Sequence, residues 1–365
     1  MNQTCTTCVM DTSAPDITFD ASGRCHFCRD FATKLVAVPA TGQNAESFIA
    51  AVKAAGRSKP YDCIVGLSGG IDSAYVLYTA VRQGLRPLAV HLDNGWNSEL
   101  ATHNIANLVR RLGVDLHTHV IDWEENRDMQ LAFFKANVVD IELLMDNAML
   151  ALNYQQAARY GLRHILAGTN RATEGMRMPE GWNHLKFDAT NIRAIQRRFG
   201  TMPIKTHPLI SVKGFVFNEF VRRIKWTPFL DYFDYRKDEA LKLLAAEVDY
   251  KPYPYKHYES VFTRFYQGYI LPRKFGIDKR RLHLSTLVIS GQMTRAAALV
   301  QLEQSPYPDP AQLRDDMAFV LKKLGFSEAS FYAYLDAPRV EHATYGSEKW
   351  LWDGLLRVYR AVRGA

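Results

Sequence analysis

The stretch Ser68-Gly69-Gly70-Ile71-Asp72-Ser73 lies between an apolar run, Cys63-Ile64-Val65-Gly66-Leu67, and a helix-like run from Tyr75 to Val81. A chain that leaves a buried strand through a glycine pair and enters a helix at once has few folds open to it. The glycines let backbone N–H groups crowd round an anion, and the helix N-terminus adds partial positive charge. Ser68 and Ser73 supply hydroxyl donors, and Asp72 is a ligand for a divalent cation. The Walker A pattern is absent, because no lysine follows the second glycine. An ordinary Gly-rich turn is the competing reading.

The pattern S-G-G-x-D-S resembles the pyrophosphate-binding loop of the N-type ATP pyrophosphatases. That resemblance implies that ATP is cut between its α- and β-phosphates and that the substrate carries AMP away.

Four of the five cysteines, Cys5, Cys8, Cys25 and Cys28, form two C-x2-C pairs separated by sixteen residues. Each pair aims two thiolates at one point, and a Zn2+ ion accepts four in a tetrahedron. The intervening Asp16-Ile17-Thr18-Phe19-Asp20 with Gly23 reads as a strand and turn, as in a zinc ribbon. Four thiolates close the site, so the zinc is structural. Two disulfides and an iron–sulfur cluster are the competing readings. His26 lies between two ligands and reads as a neighbour.

From residue 61, strands and helices alternate. Residues 63–67, 87–92, 116–121 and 164–168 read as strands. Ala101, Ile105, Leu108 and Leu112 share one face of an amphipathic helix that ends at Gly113, and a second helix spans Asp146–Tyr160. Such alternation predicts an α/β fold with a parallel sheet, which binds ligands at the C-terminal ends of its strands. From about 214 onward the strand signal fades. Runs at 214–225, 237–247, 259–271, 279–290, 294–304, 310–324 and 346–362 read as helices. The expected organisation is a zinc module (1–30), a helix and linker (31–59), an ATP pyrophosphatase domain (60–213) and a helical region for substrate or partner (214–365).

With 365 residues, 47% hydrophobic and 23% charged, the chain has the composition of a soluble globular protein. No apolar run approaches membrane-spanning length and the first residues lack a signal-peptide pattern, so a cytoplasmic protein with no membrane partner is expected. Residues 251–300 hold nine Lys/Arg against two Asp/Glu, a local excess equal to the whole chain's net charge of +7. An anionic ligand such as a phosphate ester, nucleotide sugar or RNA would explain it, as would a solvated basic face.

Taken together these pieces resemble the N-acetyl sugar amidotransferase family of surface-polysaccharide biosynthesis. The landmarks are Cys5 to Thr12, the loop at 68–73, Asp93-Asn94-Gly95-Trp96-Asn97-Ser98, Gly168-Thr169-Asn170, Thr173-Glu174-Gly175, Lys256-His257-Tyr258-Glu259-Ser260 and the string Phe262 to Pro272. The resemblance implies an ATP-dependent ligase that converts an acetamido group of a nucleotide-linked or nonulosonic sugar to an acetamidino group. It also implies Mg2+ with ATP, and ammonia from a glutaminase subunit working with a cyclase-like barrel subunit. Two departures stand out. The family pattern has Thr-Asp-His-Ala where this chain reads Met145-Asp146-Asn147-Ala148, and a glycine pair where it has Pro254-Tyr255.

On this reading Ser68, Gly69, Gly70 and Ser73 cradle pyrophosphate and Asp72 holds Mg2+. Gly66, Leu67, Asp93, Gly168 and Asn170 complete the ATP site, although Asp93 reads equally as a turn cap. Asp146 and Glu174 are candidates for the base that takes a proton from ammonia, and Lys205 for a phosphate contact. Lys256, His257, Arg264, Arg273, Lys279 and Arg280 are candidates for the sugar carboxylate and its diphosphate, with some of them simply solvated. The rival is a tRNA-modifying ATP pyrophosphatase, which the zinc knuckles, the loop and the basic flank also fit. Thiolating versions use a cysteine near ATP, and the only spare one, Cys63, starts a strand expected to be buried.

Overall fold

A computed structural model describes residues 3–36, 43–253, 258–307 and 309–363. Its centre is a five-stranded sheet: β1 (Cys63–Gly66), β2 (Pro87–Asp93), β3 (Leu116–Val120), β4 (His164–Ala167) and β5 (Lys225–Pro228). The order is β3-β2-β1-β4-β5 and every pairing is parallel. The first four strands lie where the sequence pattern placed them. β5 is not anticipated: its first residue ends the run 214–225 that reads as helix, and residues 226–228 read as no element. Only four residues long and with intermediate or exposed side chains, it carries almost no apolar signal. Edge position also tolerates its Pro228.

The inner strands are continuously apolar because helices cover both faces. Side chains alternate across the sheet, so neighbours on β1 enter different cores. Val65 joins Ala89, Leu166 and the helix Ile71–Arg82 through Val76 and Leu77. Ile64 joins Val90, Ile165 and the helix Leu143–Arg159 through Leu152 and Tyr154. A third core lies outside the sheet. It takes Cys5 and Phe27 from the N-terminus, Phe133 and Phe134 from the helix Trp123–Ala136, and Phe262, Phe265, Tyr266 and Phe331 from the C-terminal helices.

The helix Glu99–Leu112 starts at Ser98, whose hydroxyl accepts from the Ala101 N–H, and stops at Gly113 in the left-handed region (φ 63°). C-terminal helices run over 237–248, 280–289, 295–303, 310–324 and 349–363, close to the predicted runs. The run predicted at 259–271 is a short α-helix, Val261–Phe265, continued as a π-helix, Tyr266–Phe275, that contains Pro272. The helix Glu328–Asp336 was not anticipated. No helix among the described residues is long and apolar enough to cross a membrane.

Candidate active site

β1 lies between β2 and β4, so the chain winds away from it in both directions and leaves a crevice at the C-terminal ends of β1 and β4. The loop at 68–73 occupies that crevice. Gly69 has φ +87°, and a Cβ there would lie 3.1 Å from the Ala101 Cβ. A Cβ on Gly168, at the end of β4, would lie 3.0 Å from the Ser73 backbone nitrogen, so the two loops meet through glycine. The Ser68 and Ser73 hydroxyls are 3.2 Å apart, and Ser73 also donates to the Gly70 carbonyl at 3.0 Å.

Three tyrosines from beyond β5 hold this loop. Tyr250 and Tyr253 both donate to the Gly69 carbonyl, at 3.0 and 3.1 Å. Tyr235 donates to Asp72 Oδ1 at 2.6 Å, and Asn170 Nδ2 reaches the same oxygen at 3.5 Å. Burial pushes the Tyr235 hydroxyl far above its ordinary range, and the Asp72 charge adds to the effect. Tyr235 therefore stays a donor.

A cavity of about 550 Å³ opens over the loop. Of the sequence-predicted residues, Gly66, Leu67, Ser68, Gly70, Asp72 and Ser73 line it on the β1 side. Gly168, Glu174, Asp146 and Lys279 line it elsewhere. The opposite wall comes from the C-terminal region, through Glu259, Ser260, Thr263, Gln267 and His283. Glu259 is also tied to the start of the helix Glu99–Leu112, where its carbonyl accepts from the Ser98 N–H at 2.9 Å.

A chain of charged side chains runs along the cavity, from the half-exposed Asp146 and Lys186 to the buried Asp140 behind them. Lys186 Nζ lies 2.7 Å from both Asp140 Oδ2 and Asp146 Oδ2. Burial pushes the Asp140 carboxyl up, but Lys186, Lys279 and His342 hold it at about 2. At Asp146 burial wins over Lys186, and the carboxyl is raised, with Glu142 and Asp140 adding to the effect. A carboxylate with a raised pKa beside a fixed ammonium is suited to accept a proton. Next to it, Lys279 pairs with Glu142 at 2.7 Å, and Gln267 donates to both Glu142 oxygens at 2.9 and 3.0 Å.

Other predicted residues lie apart from this cavity. Asp93 caps its own turn, accepting from the Gly95 N–H at 2.9 Å. Asn170 caps the short helix after β4 and meets the lining residues from behind, through Asp72 Oδ1 at 3.5 Å and through the Gly168 carbonyl and Thr173 hydroxyl at 3.0 Å each. The Lys205 side chain is exposed, while its backbone N–H is held by Glu125 at 2.7 Å. Arg264 is buried in a bidentate pair with Asp316, both contacts at 2.6 Å. Arg280 folds back on Asp278 and the carbonyls of Gln301 and Gln304. Arg273 is exposed and lies 4.0 Å from Asp336. Lys256 and His257 lie outside the described residues, as does the Pro254-Tyr255 departure.

The other departure has a structural explanation. Asn147 is buried, donates to the carbonyls of Lys186 and Ile210 at 2.7 Å each, and accepts from the Ile210 N–H at 3.0 Å. It fixes the segment that carries Lys186. Sequence reading missed Lys186, Glu142, Gln267 and the three tyrosines. The one available signal was Val138-Val139-Asp140-Ile141-Glu142-Leu143, where two acids interrupt an apolar run.

The four N-terminal cysteines are fully buried, and their sulfur atoms all lie within 4.8 Å of one another. Cys5 and Cys28 are 3.7 Å apart and Cys8 and Cys25 3.6 Å. A tetrahedron of thiolates about 2.3 Å from a zinc ion has edges of about 3.8 Å, so the donor set fits such an ion. The N–H groups of Thr7, Cys8 and Cys25 point at Cys5 Sγ, which suits a thiolate. His26 is engaged elsewhere, since its Nδ1 accepts from the Thr18 N–H at 3.1 Å. Cys63 is fully buried in β1 and desolvation pushes its thiol up, so it is no nucleophile.

A search of curated proteins finds no match. Among solved structures, NMN synthetase from Francisella tularensis is 15% identical, with 62% of this chain and 98% of that chain covered at a TM-score of 0.28, too slight a likeness to bear on the site. Residues 259–359 match the family model described as LPS biosynthesis protein WbpG-like, C-terminal domain. The matched region includes Glu259, Ser260, Thr263, Gln267 and His283, which line the cavity together with the glycine loop.

Proposed function

We propose that this chain is an AMP-forming, ATP-dependent amidotransferase that converts the acetamido group of a nucleotide-linked or nonulosonic sugar to an acetamidino group. The observation that carries this reading is the shared cavity: Ser68–Ser73 on one wall, the WbpG-like residues Glu259–Lys279 on the other, and Asp146 with Lys186 between them.

An amide carbonyl is a poor electrophile because the nitrogen lone pair is delocalised into it, and oxide is a poor leaving group. The acetamido oxygen attacks the α-phosphorus of ATP and pyrophosphate departs. Ammonia adds to the resulting imidate carbon, a proton passes to a base, and AMP leaves with the oxygen. The loop N–H groups and the Ser68 and Ser73 hydroxyls stabilise the departing pyrophosphate. Asp72 would hold Mg2+, which when bound neutralises phosphate charge. Asp146 takes the ammonia proton, oriented by Lys186. Lys279 and Gln267 face the sugar. A Zn2+ ion in the Cys5, Cys8, Cys25 and Cys28 cluster is structural.

The family resemblance implies that ammonia comes from a separate glutaminase with a cyclase-like barrel partner, and the buried Cys63 and the four clustered cysteines offer no glutaminase nucleophile in this chain. The deciding experiment incubates the chain with ATP, ammonium salt and a panel of nucleotide-linked diacetamido sugars. AMP, pyrophosphate and an amidine product are expected. ADP and phosphate, or no sugar-dependent AMP, would overturn the reading. Glutamine should not replace ammonium unless a glutaminase is added.

A further inference from the structure

The side of the molecule formed by residues 212–225 and the C-terminal helix is unlike the rest of the surface. The chain there runs as a short α-helix, Val212–Val216, continued by a π-helix, Phe217–Val221. The helix Lys349–Arg363 lies alongside. Glu348 accepts from the Val212 N–H at 2.8 Å, and one turn later the Trp352 ring meets Phe215 at 5.6 Å. The two segments therefore start together and run in the same direction.

Both leave large apolar side chains uncovered. Phe220 is 60% exposed and Val221 65%, with Phe217 beside them. On the C-terminal helix Trp350 is 74% exposed and Val358 63%. Leu355 lies one turn before Val358 on the same face, while Trp350 stands about 140° round the axis from Leu355. Scattered exposed apolar residues are ordinary, but two adjoining helices with apolar outer faces are not.

The rim of this face is basic. Lys213, Arg222, Arg223, Arg357 and Arg360 are exposed, and no carboxylate among the described residues forms an ion pair with any of them. The two acids of the face are already engaged. Glu219 pairs with Lys225 and accepts from Tyr154, and Asp353 pairs with Lys349. Arg222 lies over the Phe217 ring at 5.1 Å and Lys225 over the Phe220 ring at 5.1 Å, so cation and aromatic ring share each position. Beside the π-helix a dent of about 170 Å³ is lined by Arg193, Arg222, Ser211 and Asn218. Its size and donors suit one phosphate headgroup.

We propose that this face is a docking surface for an anionic phospholipid bilayer, on which the protein rests without spanning it. Aromatic and aliphatic side chains with a rim of uncompensated Arg and Lys are what an interfacial helix needs: apolar atoms to enter the headgroup boundary and cations to meet its charge. The charge decides the occupant, because a second copy of the chain would bring the same cations into contact with these. No helix among the described residues is long and apolar enough to cross a membrane, and the contact proposed here, which departs from the expectation of no membrane partner, is with the bilayer surface. The proposal does not depend on the reaction in the cavity.

The test is co-sedimentation of the whole chain with vesicles of phosphatidylcholine alone and of phosphatidylcholine mixed with phosphatidylglycerol. Binding is expected only to the mixed vesicles, weakening with added salt, with a blue shift in tryptophan emission that Trp350→Phe reduces. Arg222→Gln with Arg360→Gln should weaken partitioning by about twentyfold. Val358→Asp with Phe220→Ser should abolish it. These positions are exposed, so unchanged melting curves are expected to show intact folding. Inorganic phosphate at matched ionic strength should not compete. Equal binding to both vesicles, or none, would refute the proposal. A concentration-dependent dimer that Val358→Asp dissociates, without vesicle binding, would assign the face to a second copy instead.

Discussion

The Tyr235 hydroxyl donates to Oδ1 of Asp72 at 2.6 Å, so a residue beyond the last strand grips the carboxylate in the first turn of the loop helix. This contact holds a cavity-lining carboxylate from behind. Asp72→Asn is expected to lower AMP release by at least about 100-fold, because it removes the anionic metal ligand. Tyr235→Phe should cost less, about tenfold, and should change the Mg2+ concentration for half-maximal rate. Turnover measured across a Mg2+ titration separates the two. Full activity in Asp72→Asn would remove Asp72 from the site.

The Lys279–Glu142 pair is buried on both sides and lies 2.7 Å apart. Removing one partner strands a buried charge, so Lys279→Met should destabilise the protein by about 3 kcal/mol. Adding Glu142→Gln should restore much of that stability in denaturant titrations. If the pair also reads the sugar, the double variant should refold well yet show a raised KM for sugar and an unchanged KM for ATP. Normal kinetics in a stable double variant would confine the pair to a structural role.

Purified protein should contain about one zinc ion per chain by elemental analysis. Cys5→Ser should lower unfolding stability by at least about 2 kcal/mol, with the larger loss in the presence of a chelator. Iron with sulfide, or metal-free protein of full stability, would contradict this.

Two buried histidines predict acid sensitivity. His207 is held by burial down to about 4 and His342 down to about 3, with the stacked His184 adding at the second. Their bonds agree with neutral rings, since His342 Nε2 accepts from the Asp140 N–H at 3.2 Å and His207 Nε2 meets the Leu144 carbonyl at 3.1 Å. The unfolded chain takes up protons below about pH 6.5, where the folded one does not. Stability is therefore present above pH 6.5 and falls as the pH drops toward 4. Each histidine contributes up to about 1.4 kcal/mol per pH unit in that window. His207→Gln should flatten the slope in denaturant midpoints measured from pH 7 to pH 4. An unchanged slope would show that His207 does not titrate in this way.

The sequence by itself determined the features that are local in the chain. The glycine pair between an apolar run and a helix specified the loop, because only that residue type allows φ +87° at Gly69. The two C-x2-C pairs specified the four-sulfur cluster. The predominantly apolar runs of β1, β2 and β4 specified a parallel sheet covered on both faces, while β3, Leu116-His117-Thr118-His119-Val120, carries a weaker signal and is half exposed at the sheet edge. Tertiary structure decided the rest. The basic excess at 251–300 is largely taken up by internal partners: Arg264 by Asp316, Arg280 by Asp278, Arg281 by Asp11, and Arg295 by the carbonyls of Cys5 and Cys8. Several of those partners lie 50 to 290 residues away, so charge composition alone does not distinguish a paired cation from a free one. The same holds for the site. Asp72 was legible as a ligand, but Tyr235, Lys186 and Gln267 reach it or its cavity only because the chain returns there, and a side chain's neighbours across a cavity leave no period in the sequence.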